Sequence, residues 1–323
     1  MECSSHGLDQ DRTAGIRFTG AAFTNLTGDH LDYHGNRDNY LQAKGKLFES
    51  LDEEAIAILN GQDEASVYLR KLCRGRVWRF GIDTETEITA YVKSMGIRGC
   101  EFDLCCLGEK KQVRSPLIGL HNVSNCLAAA GLAKAAGAGL DAIVEAIEGF
   151  PGVPGRLESV DCGQGFSVLV DYAHTDDALE RVLSALRQLE PRQLIVVFGC
   201  GGDRDRSKRP RMGRVVQTRA DRVVITNDNP RSEKPESIIA EIRAGMTGGG
   251  RNIEEIPDRA AAIEYALGQA REGDVVLIAG KGHEDYQLVG GKRYGFDDRK
   301  VAREKLEKLG YNGRTGRALV PKA

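Results

Sequence analysis

Apolar and polar positions alternate in two different ways along the chain, and the change falls near residue 150. Before it, the pattern predicts an apolar segment at 21–26, a helix over 37–51, and short strands around Ile56, Val77, Ile88, Phe102 and Val113. Two helices are expected to close that half, over 122–136, which is rich in Ala and Leu, and over 140–148. The stretch 149–155 has the Gly/Pro density of a domain boundary, so domains 1–150 and 151–323 are expected. Beyond it, apolar runs of strand length at 166–170, 194–198, 223–226 and 275–279 are separated by amphipathic stretches. In one of these, Leu179, Val182, Leu183 and Leu186 recur at helical spacing; further helices are expected over 210–219, 237–245 and 259–271. Strand then helix, repeated, implies parallel strands joined by right-handed crossovers, so the second half is expected to be a doubly wound, Rossmann-like α/β domain. Such sheets take ligands outside the carboxyl ends of their strands, which directs attention to the loops that follow Val170, Phe198, Thr226 and Ala279.

Composition narrows the classes. The chain has 323 residues, with 45 Lys+Arg against 47 Asp+Glu and a net charge of -2, so it offers no general attraction for nucleic acid or an anionic membrane. Its apolar runs are far shorter than the ~18 residues a membrane span needs. Met1 to His6 lack the basic start and apolar stretch of a signal peptide. Eight cysteines without CxxC pairing fit free thiols in a reducing cytoplasm. The Cys100, Cys105, Cys106 cluster has no second Cys pair or His at zinc-ligand spacing.

The four strand-end loops read Asp171-Tyr172-Ala173-His174, Gly199-Cys200-Gly201-Gly202-Asp203-Arg204, Asn227-Asp228-Asn229-Pro230-Arg231 and Gly280-Lys281-Gly282-His283-Glu284. Any one could be an ordinary turn, but all four carry charge or imidazole to one sheet edge. A dinucleotide fingerprint would require glycine where the chain has Arg204, whose planar fork suits a carboxylate or phosphate instead. In the first half, the segment from Phe23 to Gly35 concentrates oxygen donors and imidazole after a strand, with Lys44 on the next helix and Glu2 upstream, a donor set that suits a divalent cation. All six histidines lie in polar motif segments, which makes a buried, satisfied histidine the weaker reading.

Asp29-His30-Leu31-Asp32-Tyr33-His34-Gly35 with Ala43-Lys44, His121-Asn122 with Asn125, Gly155-Arg156-Leu157-Glu158, Asp171-Tyr172-Ala173-His174, Asp228-Asn229-Pro230-Arg231 and Gly280-Lys281-Gly282-His283-Glu284 together resemble the Mur ligase family. The resemblance implies an ATP-dependent amide ligase of peptidoglycan synthesis that works through an acyl phosphate. It would add a diamino acid to UDP-N-acetylmuramoyl-L-alanyl-D-glutamate, as a cytoplasmic monomer. By that resemblance Glu2 and His30 would bind magnesium, and a carbamylated Lys44 would supply an anionic oxygen to a second ion. His30 and Lys44 would be the catalytic pair. Ser4, Gln10 and Arg12 would contact the UDP-muramoyl peptide. Asn125, Arg156 and Asp171 would contact ATP, drawing on both halves. Arg204, Asp228, Asn229, Pro230, Arg231, Gly280 and Glu284 would hold the diamino acid.

The Asp228–Arg231 motif matches members that use meso-diaminopimelate, whose extra distal carboxylate would suit an arginine fork; L-lysine lacks it. The alternatives are a lysine-adding ligase and a catalytically silent amino acid-binding module. No G-x-x-x-x-G-K-[ST] phosphate loop occurs in the chain, which is therefore expected to be the later part of such a ligase, with a remnant of the central ATPase domain and an unpaired sheet edge.

Overall fold

Ala57 and Leu59 face one apolar cluster while Ile58 between them faces another, the signature of a strand buried on both sides. The computed structural model describes residues 1–26, 31–247 and 252–313, and of Leu31 and Asp32 the backbone alone. His30 and the tail from Arg314 lie outside the described residues. The chain divides into two units, Met1–Pro151 and Gly152–Ala323.

Unit one begins with α1 (Ser5–Asp9), β1 (Gly20–Phe23), α2 (Leu31–His34), α3 (Arg37–Glu49), β2 (Ile56–Asn60) and α4 (Ala65–Leu72). It continues with β3 (Arg76–Ile82), β4 (Ile88–Gly96), β5 (Gly99–Cys106), β6 (Glu109–Ser115), α5 (Leu120–Ala135) and α6 (Leu140–Gly149). Its sheet runs in chain order from β1 to β6, parallel through β4 and antiparallel thereafter. Helices α5 and α6 pack their Val123, Leu127, Leu140 and Ile143 against one face. Helices α3 and α4 place Phe48 and Leu69 on the other, against Phe23 and Leu59. Among the described residues β1 has a strand partner on one side only, as has β6 at the other edge.

Unit two begins with β7 (Glu158–Ser159), β8 (Ser167–Asp171), α7 (Asp176–Arg187), β9 (Leu194–Phe198), α8 (Lys208–Arg219), β10 (Arg222–Ile225), α9 (Pro235–Arg243) and β11 (Ile253–Glu255). It ends with α10 (Arg259–Gln269), β12 (Val275–Ala279), the hairpin β13 (Tyr286–Val289) and β14 (Lys292–Gly295), and α11 (Asp298–Lys308). The sheet order is β11-β10-β9-β12-β8-β7, parallel except for β7. Strand β12 thus returns between β8 and β9, which makes the topological switch point at which doubly wound sheets carry their ligands. Helices α10 and α11 bury Ile263, Leu267, Ala302 and Leu306 against Val168, Val170 and Val276. The capping is regular: Thr175 accepts from the Ala178 amide at 3.2 Å, and Asp258 from the Ala261 amide at 2.8 Å. No described helix is long and apolar enough to cross a membrane.

Candidate active site

The parallel strands of unit two deliver their carboxyl ends to one edge. There the loop after β10 is bonded to the loop after β12. Asn229, 3% exposed, donates from Nδ2 to Glu284 Oε2 at 2.9 Å. Lys281, fully buried, donates to the same Glu284 oxygen at 3.0 Å and to Asn229 Oδ1 at 3.3 Å. Gly280 sits at φ +117°, and a Cβ there would stand 2.6 Å from Asp228 Oδ2, so glycine both permits the turn and leaves room for that carboxylate. Burial pushes the Asp228 carboxyl up, while Arg259 and then Lys281 pull it back down. Asp228, Asn229, Gly280 and Glu284 are therefore brought together, and Lys281 joins them.

Arg231 adopts φ +53°, an uncommon conformation for a side chain of that size, and its backbone is bracketed by the hairpin. Its amide donates to Leu288 O at 2.9 Å, and its carbonyl accepts from the Gly290 amide at 2.7 Å. The Leu288 amide in turn donates to Asn229 Oδ1 at 2.9 Å, and Gln287 Nε2 to Asp228 O at 2.9 Å. The half-buried Arg231 donates through Nη1 to Gly202 O at 2.6 Å. A Cβ on Gly202 would lie 2.0 Å from Pro230 O, so the loop after β9 packs directly on the Asp228–Arg231 segment. Arg204 is exposed in that loop.

Two buried arginines support these loops from below. Arg209, fully buried, bonds Glu233 through Nη2 and Nη1 at 2.7 and 2.8 Å and Glu241 at 2.9 Å, and donates to Gly201 O at 3.2 Å. The bond from Arg209, helped by the Asp203 amide, holds the Glu233 carboxyl down to about 2. A depressed carboxylate contributes stability that is present above its unfolded value and is lost as pH falls through its folded one. We expect the stability advantage of the wild-type chain over Glu233→Gln, measured as urea midpoints, to be full at pH 6. It should shrink between about pH 4.5 and pH 2. A difference independent of pH would contradict the pairing. The second buried arginine, Arg259, meets the fully buried Asp298 with two bonds of 2.7 Å.

The loop after β8 is organised differently. Asp171, 6% exposed, accepts the Leu157 amide and the Ala173 amide, each at 2.8 Å, so both carboxylate oxygens already hold backbone. Arg156 is exposed and lies over the Tyr172 ring at 5.2 Å. His174 Nδ1 lies 2.9 Å from Tyr172 O. Asn125, on α5 of unit one, is exposed and donates to Asn122 Oδ1 at 3.3 Å.

In unit one Ser4 caps α1 by accepting the Gly7 amide at 3.0 Å, while Glu2 and Arg12 are exposed. Gln10 Nε2 donates to Tyr33 Oη at 3.4 Å; Tyr33 donates to Asp9 at 3.0 Å, and Lys46 reaches Asp9 at 2.8 Å. Lys44 is half-buried with its ammonium 5.0 Å from the Tyr40 ring centre. The expectation against buried histidines fails at His34. It is 7% exposed, lies 3.0 Å from Ser5 Oγ and stacks on Tyr40 at 5.3 Å, because α1 and α3 fold over a segment whose polarity resembles a loop. Among the described residues no group of three or more His, Cys, Asp or Glu side chains is placed to hold a metal ion.

Comparison with known proteins bears on both units. The profile of the Mur ligase middle domain matches residues 1–133, and that of the Mur ligase glutamate ligase domain matches residues 155–282. A UDP-N-acetylmuramoyl-L-alanyl-D-glutamate–2,6-diaminopimelate ligase of Geobacillus thermodenitrificans (strain NG80-2) is 47% identical over 309 residues, covering 94% of this chain and 63% of its own length. A ligase of the same name from Thermosynechococcus vestitus (strain NIES-2133 / IAM M-273 / BP-1) is 48% identical over 313 residues, with 95% and 62% covered. A solved structure of such a diaminopimelate ligase superposes with a TM-score of 0.70 at 38% identity, covering 96% of this chain and 64% of that one. The MurF ligase of Thermotoga maritima in complex with ADP, at 16% identity, 95% and 66% covered and a TM-score of 0.66, shares the fold. The chain thus spans a little under two thirds of the length of these curated relatives. Two domain matches in succession and near half-identity along 309 residues establish that this chain belongs to the Mur ligase family.

Proposed function

We propose that the chain is the amino acid-accepting part of an ATP-dependent ligase that joins meso-diaminopimelate to UDP-N-acetylmuramoyl-L-alanyl-D-glutamate in cytoplasmic peptidoglycan synthesis. The observation that carries this reading is the pairing, on one edge, of the Asn229–Lys281–Glu284 network with the hairpin-bracketed Arg231. A zwitterion needs both signs: Arg231 and Arg204 offer forks to the distal carboxylate, and Glu284 and Asp228 accept the distal ammonium. Pro230 and Gly280 shape the wall. The names of the diaminopimelate ligases it resembles support the same substrate.

In the reaction so proposed, the glutamyl carboxylate attacks the γ-phosphorus of ATP, ADP leaves, and the diamino acid amine then displaces phosphate from the acyl carbon. Asn125 and Arg156 contact the nucleotide, with Asp171 fixing the backbone beside Arg156. Ser4, Gln10 and Arg12 contact the muramoyl peptide. A magnesium ion would spread the charge on the transferred phosphoryl group. Glu2 and His30 suit such a hard cation, but an unmodified Lys44, with a reference pKa of roughly 10.4, would repel it. Carbon dioxide added to Lys44 would make it an anionic oxygen donor.

Titration calorimetry of the chain against meso-diaminopimelate and L-lysine tests the reading. Micromolar to millimolar uptake of meso-diaminopimelate with at least about tenfold weaker L-lysine binding is expected. Preference for L-lysine would instead assign a lysine-adding ligase, and binding of neither would remove the diamino acid assignment.

A further inference from the structure

We propose that Arg259, paired with Asp298, is the positioning residue that sets the spacing of the Asp228 and Gly280 loops and hence the fit of the diamino acid's distal end. The inference rests on the diamino acid reading of that edge. Strands β10 and β12 are not hydrogen-bonded to each other, because β9 lies between them. The sheet ladder therefore fixes the separation of their loops only indirectly. Arg259 spans the gap: Nη1 donates to Asn227 O at 3.0 Å and Nη2 to Ala279 O at 3.0 Å, the residues immediately before Asp228 and Gly280.

The guanidinium is itself fixed. Nε and Nη2 grip the two Asp298 oxygens at 2.7 Å, and both side chains are fully buried at the first residues of α10 and α11. A buried ion pair is weak evidence for stability as such, since apolar pairs of similar volume often serve as well. What an apolar pair cannot supply is a rigid fork that reaches two carbonyls and a carboxylate at once. Arg259 is also the charge that most opposes the effect of burial on the Asp228 carboxyl.

Arg259→Lys keeps the charge and loses the fork, so it separates the two contributions. In this variant meso-diaminopimelate affinity, read by calorimetry, should fall about tenfold or more. Hydrogen exchange of segments 227–231 and 279–284 should quicken by about the same factor, with exchange of β9 unchanged. Wild-type affinity in Arg259→Lys would overturn the inference, as would unchanged exchange. The exchange readout needs no ligand; failure of the wild-type chain to bind meso-diaminopimelate would count against the proposed function, not against this role. If Arg259→Lys does not fold, Arg259→Met/Asp298→Met carries the test. Loss of affinity in that folded double variant supports the inference, and retained affinity overturns it.

Discussion

Replacing Arg231 with alanine should weaken meso-diaminopimelate binding about a hundredfold and abolish the preference over L-lysine, because a charged partner of a desolvated pair is worth about 2–3 kcal/mol. The backbone of Arg231 is held by Leu288 and Gly290 independently of its side chain, so the substitution removes the fork and its bond to Gly202 O while these backbone bonds remain. Arginine at φ +53° already carries the strain of a side chain in that conformation, so alanine there adds little. Calorimetry with the two amino acids reads the result. An equal loss for both ligands would mean that Arg231 shapes the pocket in general and does not read the distal carboxylate.

The second large effect is on stability. Asp298→Ala leaves the Arg259 guanidinium buried without its counter-charge, and breaking a buried pair from one side costs about 3–5 kcal/mol, or roughly 10 °C in the melting temperature of a domain of this size. The pair lies at zero exposure on both sides, so solvent cannot take over the lost bonds. By contrast Arg17→Ala, which removes an ion pair with Asp52 whose partners are 74% and 38% exposed, should change the melting temperature little. A fall of less than about 2 °C for Asp298→Ala would show that the charge is relieved by a rearrangement the structure does not contain.

Much of the second unit could be read from the chain because its strands are buried on both faces and stand out as short apolar runs. Leu194–Phe198 and Val275–Ala279 become β9 and β12 with those bounds. The loops at their ends stood out together: one of them could be an ordinary turn, but four in succession carry charge or imidazole after an apolar run. Pieces that depend on partners distant in sequence were not legible. The β13–β14 hairpin is short and little buried, with β14 exposed throughout, and Arg231, which bridges to Val289, lies more than fifty residues earlier. Arg259 and Arg209 lie in the first turns of helices, where a lone arginine reads as surface; only the fold discloses that Asp298 and Glu233 pair with them and that both guanidinium groups are buried. Helix α4 escaped notice because its eight residues include exposed Val67 and Tyr68, which blur the apolar stripe. His34 misled in the opposite direction, since a motif rich in metal-ligand types also supplies the packing between α1 and α3.

A crystal structure of the chain with meso-diaminopimelate tests the assignment of this edge directly. The distal carboxylate is expected on the Arg231 guanidinium and the distal ammonium beside Glu284 and Asp228, with the Asn229–Glu284 bond retained. Binding at another surface, or with the amino acid reversed so that its distal ammonium meets Arg231, would contradict it.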